Sequence, residues 1–377
     1  MSDWQECKLV DIAEKFAMGP FGSNIKAENF VDFGVPVIRG TNFNFDKFVG
    51  GDFVFLTDEK ADQLKSSNCF PGDLVFTHRG TIGQVGLIPE GHFQRYVISQ
   101  SGMKLSVKKD ILDKDFLFYF FKSSVGKHEL LQHEAQVGVP SISNPLTSLK
   151  SVNILLPPLP EQRAIAAVLS SLDDKIDLLH RQNKTLEALA ETLWRKMFIE
   201  DANPNWKKGK LGDLIELCYG KALKAGSRKP GEYPVLGSNG IVGYHNEFLV
   251  KGPGIVIGRK GTLGIVNYIA QNFFPIDTTF YVKSKTNSGK LYYEYFLLKT
   301  FALEDLNSDS AVPGLNRENA HAMEVIVPTL YAVIKYNTIS EPLFSKQLHN
   351  SLQIHSLSTL RDGLLPKLMS GDVKVTK

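Results

Sequence analysis

The sequence predicts an α+β chain with a pseudo-two-fold internal repeat, in which two similar mixed, β-rich domains are separated by two long antiparallel helices of coiled-coil type. Three observations predict it. Short motifs of the first half return in the same order in the second. A heptad seam runs through residues 165–197 and has a weaker copy at 343–368. Elsewhere the chain is cut into short apolar runs separated by glycine turns, as small sheets require. The expected boundaries are 1–157 for the first domain, 158–200 for the first helix, 201–330 for the second domain, and 331–377 for the second helix and tail.

The repeat begins where Trp4, Lys8, Leu9 and Asp11 return as Trp206, Lys210, Leu211 and Asp213, a shift of 202. GVPVIRGTN (34–42) is echoed by EYPVLGSN (232–239), and Arg79-Gly80-Thr81-Ile82-Gly83 by Lys260-Gly261-Thr262-Leu263-Gly264. Val139-Pro140-Ser141-Ile142-Ser143 is matched by Val312-Pro313-Gly314-Leu315-Asn316. VNILLPPL (152–159) is echoed by EVIVPTL (324–330), and from there a shift of 171 carries Leu172, Leu186, Leu193 and Lys196 onto Leu343, Leu357, Leu364 and Lys367. One match alone is weak. Their common order is what argues for a duplication.

Pro160-Glu161-Gln162 opens the first helix, with proline at a position that lacks a hydrogen-bond partner anyway and an acid at the positive end of the macrodipole. Ile165, Leu169, Leu172, Ile176, Leu179, Asn183, Leu186, Ala190, Leu193 and Met197 then alternate four and three residues apart. Asn203-Pro204-Asn205 ends the helix, expected over 161–198. In the second helix Leu343, Gln347, Asn350, Ile354, Leu357, Arg361, Leu364 and Leu368 keep the frame less cleanly. Pro342 sets its expected start near Ser340, as a cap, while Gly363 and Pro366 weaken its end. Antiparallel pairing about the midpoints would set Asn183 against Asn350, a polar layer that fixes register at some cost in stability.

Bulk properties exclude more than they assign. Hydrophobic residues make up 43% and charged residues 22%, an ordinary balance for a globular protein. No apolar run approaches the roughly 18 residues of a membrane span. The opening MSDWQECKLVD is acidic and polar, unlike a signal peptide. Cys7, Cys69 and Cys218 are scattered, which suits a reducing cytoplasm and offers no disulfide framework. Net charge is only +3. Residues 1–155 carry 16 basic and 18 acidic side chains, residues 201–330 carry 15 and 12, so neither half is a strongly basic domain. Any affinity for nucleic acid must come from local clusters.

Within the globular parts, 74–88 and 255–269 each read as strand, basic-glycine turn and strand. The aromatic runs FLFYFF (116–121) and YYEYFLL (292–298) read as buried helix. The hairpin tips supply the candidate DNA contacts: Arg79 and Thr81 in the first half, Arg259, Lys260 and Thr262 in the second. Arg39, Thr41 and Asn42 in the echoed RGTN segment, Lys224 and Arg228 in KALKAGSRK, and Asn239 complete the set. Glycine lets backbone approach a ligand, lysine and arginine meet phosphates, and arginine can read guanine. The competing reading is that these glycines only shape turns whose basic residues are solvated.

Catalytic patterns fail on spacing. His128 and His133 are one residue too far apart for HExxH. No GxxxxGK[ST] loop occurs. Asn144-Pro145-Leu146-Thr147 resembles the catalytic loop of amino-methyltransferases but lacks its second proline and its aromatic. Neither a metal site nor a catalytic residue is expected on this chain.

Residues 155–198, above all Pro157-Pro158-Leu159-Pro160-Glu161-Gln162, resemble the central conserved region of type I restriction–modification specificity subunits, and LLPKLMSGDV (364–373) resembles that family's distal region. RGTIG and KGTLG fall where its target-recognition domains carry such a turn. The resemblance spans essentially the whole chain and departs at Tyr331-Ala332-Val333, which replaces Pro-Glu-Gln and leaves open how symmetric the two helices' contacts are. It implies two target-recognition domains that each bind half of a bipartite DNA site, with the helices setting the spacer. It further implies docking of methyltransferase subunits, generally two, and of restriction/translocase subunits through them. S-adenosylmethionine, ATP and Mg would then belong to those partners and no cofactor to this chain. The helix-pairing residues would be Leu172, Ile176, Leu179, Asn183, Leu186 and Leu193 on the first helix, and Leu343, Asn350, Ile354, Leu357 and Leu364 on the second. The alternatives are a diverged, self-contained DNA adenine methyltransferase and a scaffold that does not bind DNA.

Overall fold

The structure is a computed structural model that describes residues 4–43, 47–135, 138–286, 289–306 and 314–375. Val312 and Pro313 of the second-half repeat lie outside the described residues. The chain divides into two compact units, Met1–Leu178 with Ile354–Lys377, and Leu179–Gln353. Boundaries therefore fall inside the two long helices, where the sequence had suggested their ends. The reason is packing. Ile165, Ala166 and Leu169 bury in the first unit's core together with Leu368 and Met369, whereas Ala190, Trp194 and Phe198 bury in the second with Val333, Tyr336 and Phe344.

The two units share the topology of their larger sheet, while the smaller sheet, among the described residues, has four strands in the first unit and three in the second. Among the described residues, the first unit holds a four-stranded antiparallel sheet in the order Ala13–Met18, Gly102–Val107, Leu74–Thr77, Val85–Leu87. The second holds the same sheet as Ile215–Tyr219, Thr279–Ser284, Gly254–Gly258, Val266–Ile269. Beside each runs a smaller mixed sheet with one parallel pair, Val35–Ile38 on Tyr96–Ile98 and Tyr233–Gly237 on Phe274–Pro275. An antiparallel pair joins the first strand of each unit to the strand before the long helix, Gln5–Lys8 to Asn153–Leu156 and Lys207–Lys210 to Glu324–Val327. The central strands are short apolar runs, Leu74–Thr77 and Gly254–Gly258, buried at every position because both faces of the sheet are covered.

The aromatic runs form helices at Lys114–Lys122 and Tyr292–Lys299. Phe116 through Phe121 are all buried, as are Tyr292 through Leu298. Each large aromatic or aliphatic side chain so buried contributes about 1.5–3 kcal/mol. These helices carry much of each core.

The first long helix spans Leu159–Arg195 and ends in a π turn over Lys196–Glu200. The second corrects the expectation drawn from Pro342, since it begins at Leu330 and runs unbroken to Met369. Proline removes one hydrogen bond and crowds the carbonyl four residues back. Here Pro342 and Thr338 both lie on the exposed face, so water can serve the freed carbonyl. The packing of Val333, Tyr336 and Phe344 outweighs the lost bond. Ser340 is consequently not a cap but a buried position inside the helix. Gly363 and Pro366, also exposed, are likewise contained in it. The heptad frame starts earlier than sequence suggested, at Val333, Tyr336 and Ser340.

Within the second unit the helices run antiparallel. The Tyr336 hydroxyl donates to the Ala190 carbonyl at 3.0 Å, and Asn350 Nδ2 donates to Asn183 Oδ1 at 2.9 Å. Gln347 Nε2 adds a bond to the Asn183 carbonyl at 3.0 Å. Leu179 is buried, Leu186, Leu193 and Leu343 half-buried. In the first unit Leu172, Ile354, Leu357 and Leu364 are half-buried and Ile176 is buried, while Arg361 donates to Asp173 at 2.7 Å.

Candidate nucleic-acid interface

Both hairpin tips are built by the same backbone device. In the first unit Gly80 and Gly83 hold left-handed φ values of 84° and 76°; Gly261 and Gly264 repeat them at 78° and 74°. Non-glycine residues resist this region, which explains why the glycine spacing is duplicated. A short return segment braces each tip. Gly80 N donates to the Pro140 carbonyl and Ile142 N to the His78 carbonyl, both at 2.9 Å; Leu315 N donates to the Arg259 carbonyl at 3.0 Å. The duplicated Ser141-Ile142 and Gly314-Leu315 segments are thus part of the tips and not separate motifs.

A second matching feature lies beneath. Gly19 N donates to the Gly102 carbonyl and Gly220 N to that of Thr279. A Cβ on Gly19 would stand 1.8 Å from the Ser99 carbonyl oxygen, and one on Gly220 2.1 Å from that of Ile276. These pairs place the end of one sheet strand against the turns Ser99-Gln100-Ser101 and Ile276-Asp277-Thr278. Against those turns sit His78 and Arg259. Their backbone N–H groups donate to Ser101 and Thr278, and their side chains donate to the carbonyls of Gln100 and Asp277, each at 3.1 Å. Burial pushes the His78 ring below the ordinary histidine pKa, against the opposing effect of its bond to the Gln100 carbonyl.

The candidate residues separate on this geometry. Arg39 and Arg79 line an open cleft of about 380 Å³ with Ser99, Gln100 and Ser101. Arg79 and Thr81 are exposed at the tip, Thr41 is exposed nearby, and Arg39 is half-buried. Asn42 corrects the sequence reading. It is fully buried, its Oδ1 accepts from Arg39 N at 2.9 Å, and its Nδ2 donates to the carbonyls of Gly50 and Asp52 at 3.0 Å each. It shapes the loop and has nothing left for DNA.

In the second unit Lys260 and Thr262 are exposed at the tip, and Asn239 is exposed in the turn of the hairpin formed by Tyr233–Gly237 and Gly240–His245. Lys224 is exposed, whereas Arg228 folds back so that Nη1 donates to the Val242 carbonyl at 2.6 Å. Arg259 lies over the rings of Tyr219 and Phe280, its Cζ at 4.8 and 5.6 Å from their centroids. Arg317 joins it over Tyr219 at 5.4 Å. Sequence reasoning missed Tyr219 and Arg317. The only available signal was the position of Tyr219 beside Gly220, the counterpart of Gly19.

A family model described as the type I restriction modification DNA specificity domain matches residues 1–188 and again residues 203–339. The chain belongs to that family. Among curated specificity subunits, it is 25% identical to the type I restriction enzyme MjaIX subunit of Methanocaldococcus jannaschii, over 99% of this chain and 94% of that one. It is 20% identical to the HindI subunit of Haemophilus influenzae over 99% of this chain and all of the relative, and 25% identical to the EcoprrI subunit of Escherichia coli over 71% and 70%. The crystal structure of a type I restriction–modification S subunit from M. genitalium has the same fold, with a TM-score of 0.63 at 21% identity and coverage of 98% and 96%.

For this specificity subunit, the Pro160-Glu161-Gln162 signature has a structural explanation. Buried Gln162 accepts from Asp113 N at 2.8 Å and donates to the carbonyls of Ile111 and Pro157 at 2.9 and 2.8 Å, pinning the long helix to the loop before the aromatic helix. The second helix lacks the glutamine but reaches the same end one turn later. Asn337 accepts from Tyr293 N at 3.1 Å and donates to the Lys290 carbonyl at 3.2 Å. The departure at Tyr331-Ala332-Val333 therefore leaves this internal clamp intact. Among the described residues, no cluster of three or more His, Cys, Asp or Glu side chains is placed to hold a metal, and no helix is long and apolar enough to cross a membrane.

Proposed function

We propose that this chain is the DNA-recognition subunit of a type I restriction–modification complex, with each unit reading one half of a bipartite, asymmetric target. The observation that carries the reading is the duplicated, braced cationic tip inside two matches to a DNA specificity domain. Phosphate contacts would position each unit, and side chains in the grooves would select bases. The long helices set the length of the unspecified spacer.

The chain is the non-catalytic member of such a complex. Methyltransferase subunits, two in our reading, dock on it, and restriction/translocase subunits join through them. S-adenosylmethionine, ATP and Mg belong to those partners, and the target adenine is flipped from the stack by the methyltransferase. Assembly in the cytoplasm follows from this role. A self-contained methyltransferase is the competing reading, and nothing in the matched families favours it.

Two measurements separate them. The complex with the cognate methyltransferase should bind duplex DNA with an affinity that falls steeply as salt rises, because phosphate contacts release counterions. Equilibrium dialysis of the isolated chain should show no S-adenosylmethionine bound. Retention of S-adenosylmethionine by the chain alone would overturn the assignment.

A further inference from the structure

Reading a base demands a donor fork fixed in direction, whereas meeting a phosphate demands only a charge within reach. The second unit holds one arginine of each kind against the ring of Tyr219. Arg259 is held on three sides: its Cζ stands 4.8 Å from the Tyr219 centroid and 5.6 Å from that of Phe280, and Nη1 donates to the Asp277 carbonyl at 3.1 Å. The edge formed by its Nε and Nη2 bonds to no described residue. That edge presents two parallel N–H groups, the pattern that matches guanine O6 and N7. Arg317, 5.4 Å from the Tyr219 centroid, is held only by Glu318, whose Oε1 accepts from Nε and Nη2 at 3.1 and 2.9 Å. Glu318 is exposed and Arg317 is partly so, which makes the pair weak and lets it yield readily to a phosphate. Tyr219 itself is 51% exposed, although its ring packs against that of Phe280, tilted by 53° with centroids 5.0 Å apart.

The first unit does not repeat this set. Its equivalent slot holds His78, bonded to Gln100, with half-buried Met18 at the strand end, and its cations come from Arg39 and Arg79 across the cleft. One shared scaffold thus offers different readers at its two copies, as an asymmetric target requires.

We propose that Arg259 is the guanine-reading residue of the second unit, fixed by Tyr219, Phe280 and the Asp277 carbonyl, and that Arg317 on the same tyrosine carries a backbone phosphate. The proposal rests on the DNA-recognition reading above and adds the base and the residue. Its test uses the assembled complex with the cognate methyltransferase, and duplexes substituted one base pair at a time across both half-sites. Arg259→Lys keeps the charge but loses the fork, so discrimination at one guanine of one half-site should fall by about 5- to 150-fold. The other half-site should be unaffected. Arg317→Ala should weaken all duplexes alike and lower the salt slope by about one phosphate contact. In Arg259→Lys, intact discrimination at the other base pairs of the same half-site and at the first half-site separates misfolding from lost reading. Unchanged discrimination in Arg259→Lys, or an equal loss at every position, overturns the proposal. A wild-type complex that discriminates at neither half-site instead overturns the DNA-recognition reading itself.

Discussion

Asn42 and Arg259 occupy comparable places in the sequence, each in an echoed motif with glycine nearby, yet their side chains do opposite things. Asn42 is covered because the chain returns over it at Gly50 and Asp52, which take both its amide protons. Asn42→Ala should therefore lower the stability of the first unit by about 1–3 kcal/mol, since it removes a buried side chain that bonds Arg39 N and the carbonyls of Gly50 and Asp52. The methylation motif of the complex should stay the same, and an altered motif with unaltered stability would contradict the assignment. Nothing local in RGTN tells which polar residue will be covered; that is decided by a segment eight to ten residues on. Basic tips were legible because glycine spacing and charge are local. The Tyr219–Arg317 pairing was not, because nearly a hundred residues separate its members.

Two histidines make stability depend on pH. Burial lowers the His78 and His321 pKa values below the ordinary range, and His321 Nε2 accepts from Leu217 N at 3.0 Å, a bond that the protonated ring cannot keep. A depressed folded value means that the unfolded chain binds the proton first as pH falls. Their contribution is present above about pH 6.5 and is lost as pH drops through the folded values. Unfolding midpoints at pH 7.5 and 5.5 should thus differ less in His321→Gln than in the wild type. Equal differences in both would remove His321 from the account.

The long helices show what periodicity can and cannot reveal. The seam of the first was legible from Ile165 onward, as was a polar layer at Asn183 opposite Asn350. The start of the second was hidden, because Pro342 is a strong local stop signal and only the buried partners of Val333 and Tyr336 override it. The polar layer invites a double-mutant cycle. Asn183→Leu or Asn350→Leu alone leaves the partner amide in the seam without its bond, and each should cost about 1–3 kcal/mol. The double variant should cost less than the sum of the singles, with a coupling of about 0.5–3 kcal/mol. Additive losses in denaturant unfolding would show that the two amides do not act as a pair.

For the whole molecule, duplication explains both the fold and its economy. Each copy keeps the sheet order, the left-handed glycines and the braced tip, and varies what the tip presents. This much was legible from the ordered return of short motifs. The placement of domain boundaries inside the helices was not, since it depends on how each helix half buries its apolar face. The central claim is that two related units read two different half-sites. The most direct measurement is a genome-wide map of methylated adenines in cells expressing this chain with its cognate methyltransferase. The expected result is a motif of two specified blocks, different in sequence and separated by a fixed number of unspecified base pairs. A single continuous block, or methylation without a shared motif, would contradict it.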